Sequence, residues 1–424
     1  MPRGRFGPEG VAVTGVGRDP GVPGDRPGVL ASFQEPVFRT TWLGAVLFGL
    51  AVSMERLAIG WFVLDETGSV LLAALSFAVR TVPNLVIGPI AGAVSDRWSR
   101  AGVLAAAALV RMVAATLMAL VVVAGVAVVP LLIALAAVSG STNAFQTTAL
   151  QPLQADIVGR ERLGNAVSLT SLGQRSIGVA GALSGGVLIG WLGPAPALLV
   201  ATAPLALAAL LFARAHGATA RPRGGARFAA EVLEGLRLIV TTPVVRLLLG
   251  MMIVVEIFGF SYMGLLPAVA DLVLDVGPEG LGVLTAGASA GSMVGMVFLV
   301  GAADRLRRGL LLVGVFAFFG ALLLVLGNST LFWLSLLAAG GIGAAAAMVD
   351  TLEWIMLQEA VPPPLRGRAV GGWHFAIGWG WIGPITLGAL ADATTVSIAL
   401  TLGGTVLLLS AGSVWLAAAS IRDR

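Results

Sequence analysis

The sequence predicts an all-α membrane protein with twelve transmembrane helices in two six-helix pseudo-repeat bundles. Three observations carry that expectation. First, the chain is 57% hydrophobic and 11% charged, where a soluble domain carries about 25% charged residues. Second, the 26 basic residues, all arginine, are sorted along the chain: 22 fall in the termini or in alternate loops. Third, the chain repeats itself. Leu153-Gln154 followed by Arg162 returns as Leu357-Gln358 followed by Arg366, and Asp96-Arg97 returns as Asp304-Arg305.

A membrane-crossing helix needs about 20 mostly apolar residues. Taken in order, residues 1–37 are rich in Gly, Pro and Arg and lack apolar periodicity, so a disordered cytoplasmic tail is expected there. The first six spans are expected at 41–64, 70–94, 101–125, 129–150, 165–190 and 195–212, forming an N-terminal half over 38–213. A basic linker follows at 214–244. The remaining spans are expected at 245–270, 280–301, 310–327, 330–354, 369–391 and 394–419, within a C-terminal half over 245–424. Closely spaced Gly and Ala inside the spans favour tight helix packing in lipid.

Arginine follows the even-numbered spans, whereas the opposite loops carry Asp65, Glu66, Asp271, Asp275, Glu279 and Asp392. Positive loops stay in the cytoplasm. The expected topology is therefore a multi-pass protein of the cell (inner, cytoplasmic) membrane with both termini inside. A reporter fused after Asp275 is expected to read external and one near Arg223 internal; a cytoplasmic reading at Asp275 would break the twelve-span topology.

Several function classes are excluded or disfavoured. The chain has no cysteine and two histidines, His216 and His374, and no Gly-x-Ser-x-Gly or His-x-x-x-His pattern. No catalytic residues, metal site or cofactor are expected, and the chain is not expected to be an enzyme. No phosphate-binding loop is present, and there is no lysine to complete one, so transport would be secondary and not driven by ATP. The expected partners are the lipid bilayer, a small-molecule substrate and protons, with no nucleic acid and a monomeric state.

Ionisable groups within spans are costly and are candidate functional residues. Arg56 and Arg80 fall toward the outer face of spans one and two. Arg111, Arg175 and Glu256 fall near mid-span. Asp350 and Glu353 share a face of span ten. The arginines lie in the first half and Glu256, Asp350 and Glu353 in the second, so pairing across the halves is expected. Glu55 and Arg56 are neighbours that diverge by about 100° on a helix, which points one toward a cavity and the other toward a neighbouring helix.

The loop Gly92-Ala-Val-Ser-Asp96-Arg97-Trp-Ser-Arg100 resembles the Gly-x-x-x-Asp-Arg-x-Gly-Arg-Arg signature of the major facilitator superfamily, with Ser99 at a usual glycine and Ala101 at a usual base. The resemblance spans about residues 38–420. It implies a conformational latch in which Asp96 caps or pairs with neighbouring helix ends and Arg97 and Arg100 reach Asp156, with Asp304 and Arg305 as the second-half copy. The alternative is that Arg97 and Arg100 are topology signals only. Gly181-Ala-Leu-Ser-Gly185-Gly186 resembles the Gly-Pro-x-x-Gly-Gly helix hinge of antiporters in this superfamily, with Ala182 in place of proline. Gly383-Pro384 lies in the repeat position. Small-residue packing explains the same pattern. Residues 61–69 are similar to the bacterial exporter branch that includes macrolide and siderophore efflux proteins.

By that resemblance spans one, four, seven and ten line the cavity. This puts Glu55 or Arg56, Asn143, Gln146, Glu256, Tyr262, Asp350 and Glu353 near the substrate and proton pathway, with Arg80 and Arg175 as candidate partners. Arg111, on a span that is usually peripheral, is expected to snorkel or pair locally. The implied function is proton-coupled efflux of a small, fairly apolar compound by alternating access. Import of a small metabolite and a non-transporting sensor remain open alternatives.

Overall fold

Proline and glycine decide where the helices of this chain start, break and stop. The computed structural model describes residues 28, 30–125, 128–159, 161–215, 242–302, 307–362 and 365–417, and every regular element among them is helical. In lipid this follows from the need to satisfy each backbone polar group within its own segment. A short 3-10 turn at Ala31–Gln34 leads into α1 (Pro36–Thr67), which opens with proline and stops at Gly68, whose φ of 63° only glycine adopts freely. Then come α2 (Val70–Ala78), α3 (Val82–Arg97), α4 (Arg100–Ala124), α5 (Val128–Val158), α6 (Leu163–Leu192), α7 (Pro194–Val200) and α8 (Thr202–Arg214). After the linker follow α9 (Pro243–Val254), a π-helical turn at Val255–Gly259, α10 (Tyr262–Ala268) and a second π turn at Val269–Val273. The chain closes with α11 (Gly277–Ala302), α12 (Arg308–Asn328), α13 (Phe332–Glu359), α14 (Arg366–Ile377), α15 (Ile382–Ala393) and α16 (Val396–Ala417).

Among the described residues, ten helical stretches are long and apolar enough to cross a membrane. The stretches expected at 70–94 and 369–391 are instead each divided, α2 from α3 and α14 from α15. A proline follows each break by less than a turn. Pro83 and Pro384 cannot donate to the carbonyls four residues back, Val79 and Gly380, and their rings crowd those carbonyls. Apolar periodicity is blind to this. Pro204 interrupts the stretch Pro194–Arg214 at Ala201 in the same way.

Residues 1–27 and 216–241, which hold most of the expected tail and linker, lie outside the described residues. Residues 31–37 belong to the fold and not to the tail. Ser32 donates through its backbone N–H and its hydroxyl to the Asn165 side-chain oxygen, at 3.1 and 2.7 Å, and Phe33 packs edge-on against Phe38 and Trp42.

Helices α1–α8 pack mainly on one another, as do α9–α16, and the two sets meet along two seams. In one, α6 lies on α11 with backbones touching: a Cβ on Gly186 would fall 2.7 Å from the Pro278 carbonyl oxygen and 2.9 Å from the Gly282 Cα. In the other, α2 packs on α15 and α10.

Candidate functional site

The first buried polar centre is built on Glu55 of α1. Its side chain is fully buried, and three residues hold it. Arg80, in the turn between α2 and α3, donates to Oε1 at 2.8 Å, Ser139 Oγ of α5 donates to Oε1 at 2.7 Å, and Arg111 Nε of α4 donates to Oε2 at 2.9 Å. Arg111 is itself fully buried and places Nη1 on the Ser139 carbonyl, Thr142 Oγ1 and Asn143 Oδ1, at 3.3, 3.1 and 2.9 Å, with its guanidinium 5.2 Å from the Phe48 ring centre. One carboxylate against two guanidiniums leaves this centre cationic in formal charge, and the remaining Nη2 atoms of Arg80 and Arg111 are buried without a partner among the described residues. Its geometry ties α1, α4, α5 and the α2–α3 turn together.

This corrects the expected pairing. Glu55, Arg80, Arg111 and Asn143 form one network within the first half, so the expected cross-half pairing does not apply to them. Arg111 pairs locally and forms the middle of that network. Gln146 is partly buried, with its Nε2 buried and unpartnered among the described residues. Ser139 and Thr142 escaped the sequence reading, because hydroxyls in a helix mostly bond their own backbone.

The second centre is a cavity of about 410 Å³ between the two helix sets. Arg56 of α1 and Arg175 of α6 reach it from the first set, and Asp350 of α13 and Tyr262 of α10 from the second. Glu55 and Arg56, adjacent in sequence, thus diverge: one is sealed among helices and the other faces the cavity. Apolar wall comes from Leu57, Phe260, Met263 and Leu266. α6 and α11 contribute Gln174 and Ser289 among others, whereas none of the lining residues comes from α5. Span four, expected to line the path, contributes nothing to the wall of this cavity, whereas α6 and α11, the fifth and eighth expected spans, do. The cause is the α6–α11 seam, where glycines bring both backbones close enough to form a wall.

Behind the cavity sits an acidic cluster. Glu353, one turn beyond Asp350, is fully buried, and neither of its carboxylate oxygens has a hydrogen-bond partner among the described residues. Glu256 lies in the first π turn of span seven and packs against Gly380 at the α14–α15 break, where an added Cβ would meet Glu256 Oε2 at 2.6 Å. The charges of Glu256, Asp350 and Glu353 are close enough to act on one another, and that of Arg175 acts on Asp350. Neither Arg56 nor Arg175 has an ion-pair partner within 4.0 Å among the described residues.

At the predicted cytoplasmic end, Arg100 bonds the Asp156 carboxylate and lies 3.4 Å from the Pro152 carbonyl oxygen. Arg308 makes the equivalent pair with Glu359, which the sequence reading did not single out. Arg97 is exposed at the end of α3, and Gly92 is partly buried in that helix with open space around it. Asp96 belongs to α3, but its side chain, like Asp304 and Arg305, lies outside the described residues. The cap of α4 is Ser99, whose hydroxyl accepts from the Gly102 N–H at 3.3 Å. Gly181 and Gly185 face α1 and Gly186 faces α11, within an α6 that runs unbroken. Gly383 abuts the Ile257 carbonyl and Ser261 of span seven, and Pro384 packs near Gly264.

At the opposite end, Asp392 of α15 caps α2 from the other helix set. Its oxygens accept from Ser69 Oγ at 2.6 Å and from the N–H groups of Val70 at 2.6 Å and Leu71 at 3.2 Å. A carboxylate satisfies first-turn N–H groups and the helix dipole at once.

The sequence model of the transmembrane secretion effector family, within the major facilitator superfamily, matches residues 27–421. The chain belongs to this family. The fold agrees with it. The major facilitator chain superposes on the nucleoside transporter NupG with a TM-score of 0.74 at 11% identity, covering 90% of this chain and 99% of that one. It superposes on a D-xylose-proton symporter with a TM-score of 0.70 at 16% identity, covering 92% and 98%. A peptide transporter of the POT type gives 0.72 at 13% identity, covering 91% and 95%. A comparison with curated proteins finds no match. The family and these structural relatives are transporters, not enzymes, and the facilitator chain is a multi-pass membrane protein.

Proposed function

We propose that this chain is a twelve-span secondary active transporter of the exporter branch, in the cell membrane with both termini cytoplasmic. It moves a small amphiphilic compound out of the cell by alternating access, coupled to inward proton flow. The observation that supports this most is the cavity walled by both helix sets, with Arg56 and Arg175 on one side and Asp350 on the other. Parallel halves in this superfamily place the substrate at their interface. The paired bridges Arg100–Asp156 and Arg308–Glu359, at matching positions of the two sets, support the two-half reading. In this reading the divided spans two and eleven are the remaining two crossings.

The acids Glu256, Asp350 and Glu353 form the proton pathway. A buried carboxylate that no donor faces is costly as a charge, and a proton removes that cost. The test is accumulation of a fluorescent dye in cells with and without the gene, and with and without a protonophore. Glu256→Gln is expected to reach the membrane normally and still bind dye but to lose uphill extrusion. If that variant pumps uphill with an unchanged pH dependence, Glu256 is not the coupling acid.

Asp392 seals the outer end in this reading. Asp392→Ala is expected to remove roughly 1–2 kcal/mol from the seal. The chain lacks cysteine, so Met263→Cys in the cavity wall becomes a single label site. Reaction of that cysteine with an impermeant external maleimide is expected to accelerate several-fold in the Asp392→Ala background. An unchanged rate would remove Asp392 from the seal.

A further inference from the structure

We propose that the cavity selects a singly charged organic anion, an oxyanion such as a carboxylate on an apolar body. The inference rests on the reading of this cavity as the transport site and names the class of compound it takes.

The first support is the treatment of the four span arginines. Arg80 and Arg111 are buried against Glu55. Arg56 and Arg175 line the cavity, and no hydrogen bond to a protein acceptor or ion pair joins either of them to another described residue. A guanidinium presents a planar fork of N–H donors matched to oxyanions. Two such forks without acceptors among the described residues, facing one cavity, leave their donors for a ligand.

The second support is the charge balance. Asp350 is the one acid among the lining residues, set against two arginines, so in formal charge the wall has an excess of one positive charge. Glu256 and Glu353 are the further acids near Asp350, and neither lines the cavity. One negative charge on the ligand balances the wall. Desolvated charges require such compensation, which disfavours a cationic guest that would add to the excess. The third support is the apolar part of the wall. Phe260, Met263, Leu57 and Leu266 offer apolar and polarisable surface for the body of an amphiphile, in a cavity of the size that takes drug-like molecules.

The test uses three probes with one ring system and different charge: 4-(1-pyrenyl)butyrate, the corresponding butanol and the corresponding butylammonium. Binding to the purified full chain in lipid nanodiscs is read by pyrene fluorescence anisotropy. The butyrate is expected to bind at least tenfold more tightly than the alcohol and the ammonium more weakly than either. Arg56→Gln and Arg175→Gln are each expected to bring the butyrate to within about threefold of the alcohol. A monodisperse elution profile and a melting temperature near that of the parent report that the variants are folded. Arg175→Lys is expected to retain part of the preference, and Asp350→Asn to tighten butyrate binding. Ammonium binding as tight as butyrate, or a butyrate preference that survives both glutamine variants, overturns the proposal and leaves the transporter reading standing. Absence of binding by all three probes also overturns it. Loss of gene-dependent dye extrusion in cells, in contrast, counts against the transporter reading itself.

Discussion

Glu55→Gln is expected to destabilise the chain by about 3–5 kcal/mol, the cost of removing one partner from a buried ion pair. The carboxylate is fully buried and stands between two guanidiniums, so its loss leaves two cations in the bundle with no counter-charge. The measurement is the yield of monodisperse protein from membranes, together with its melting temperature in detergent. The two arginines are expected to differ in how far they rescue the variant. Arg111 keeps Ser139, Thr142, Asn143 and the Phe48 ring, whereas Arg80 keeps the Ser76 carbonyl, which accepts from its Nε at 3.2 Å. Glu55→Gln with Arg80→Met is therefore expected to recover more stability than Glu55→Gln with Arg111→Met. A Glu55→Gln protein that melts within a degree or two of the parent would show that the network holds nothing together.

Gly291→Ala is the second large effect, expected to cost about 1–3 kcal/mol or more. Gly291 of α11 faces the Gly340 carbonyl of α13, and Gly343 of α13 faces the Ala288 carbonyl in return. A Cβ at either position lands on backbone, which cannot swing aside as a side chain can. The helices must separate, and in lipid their association rests on this close packing. Gly250→Ala is the control. It lies in a helix with nothing within 4 Å of the added carbon, and alanine there is expected to gain up to about 1 kcal/mol from helix propensity. Melting temperatures should move in opposite directions; a shared direction would sink the packing argument.

Much of the helical content was legible in the sequence because an apolar stretch of about twenty residues has few fates besides crossing a membrane. Ten of the expected stretches are long apolar helices or nearly so. The divided pair was not legible as such, since Pro83 and Pro384 act on the backbone four residues earlier and leave the apolar count untouched. The divergence of Glu55 and Arg56 followed from the helical turn alone. The identity of their partners did not, because Arg80, Arg111 and Ser139 reach Glu55 from three other elements. Arg111, expected to snorkel or pair locally, does the latter, because a fully buried guanidinium needs acceptors wherever it sits, and α1 and α5 supply them. Asp392 stood in the sequence as one acid among several at the outer loops. What gives it a role is the start of α2, and backbone N–H groups leave no mark on a sequence.

The cap on α2 also has a place in time. Asp392 lies 322 residues beyond Val70, and a ribosome adds about 5–20 residues per second. The first turn of α2 therefore waits roughly 15–60 s after its own synthesis for the carboxylate that completes it. Through that interval its N–H groups must be met by water or lipid headgroups. The closure between the two helix sets is thus among the last features of the molecule to form during biosynthesis. A chain released before α15 would carry an α2 whose start remains uncapped.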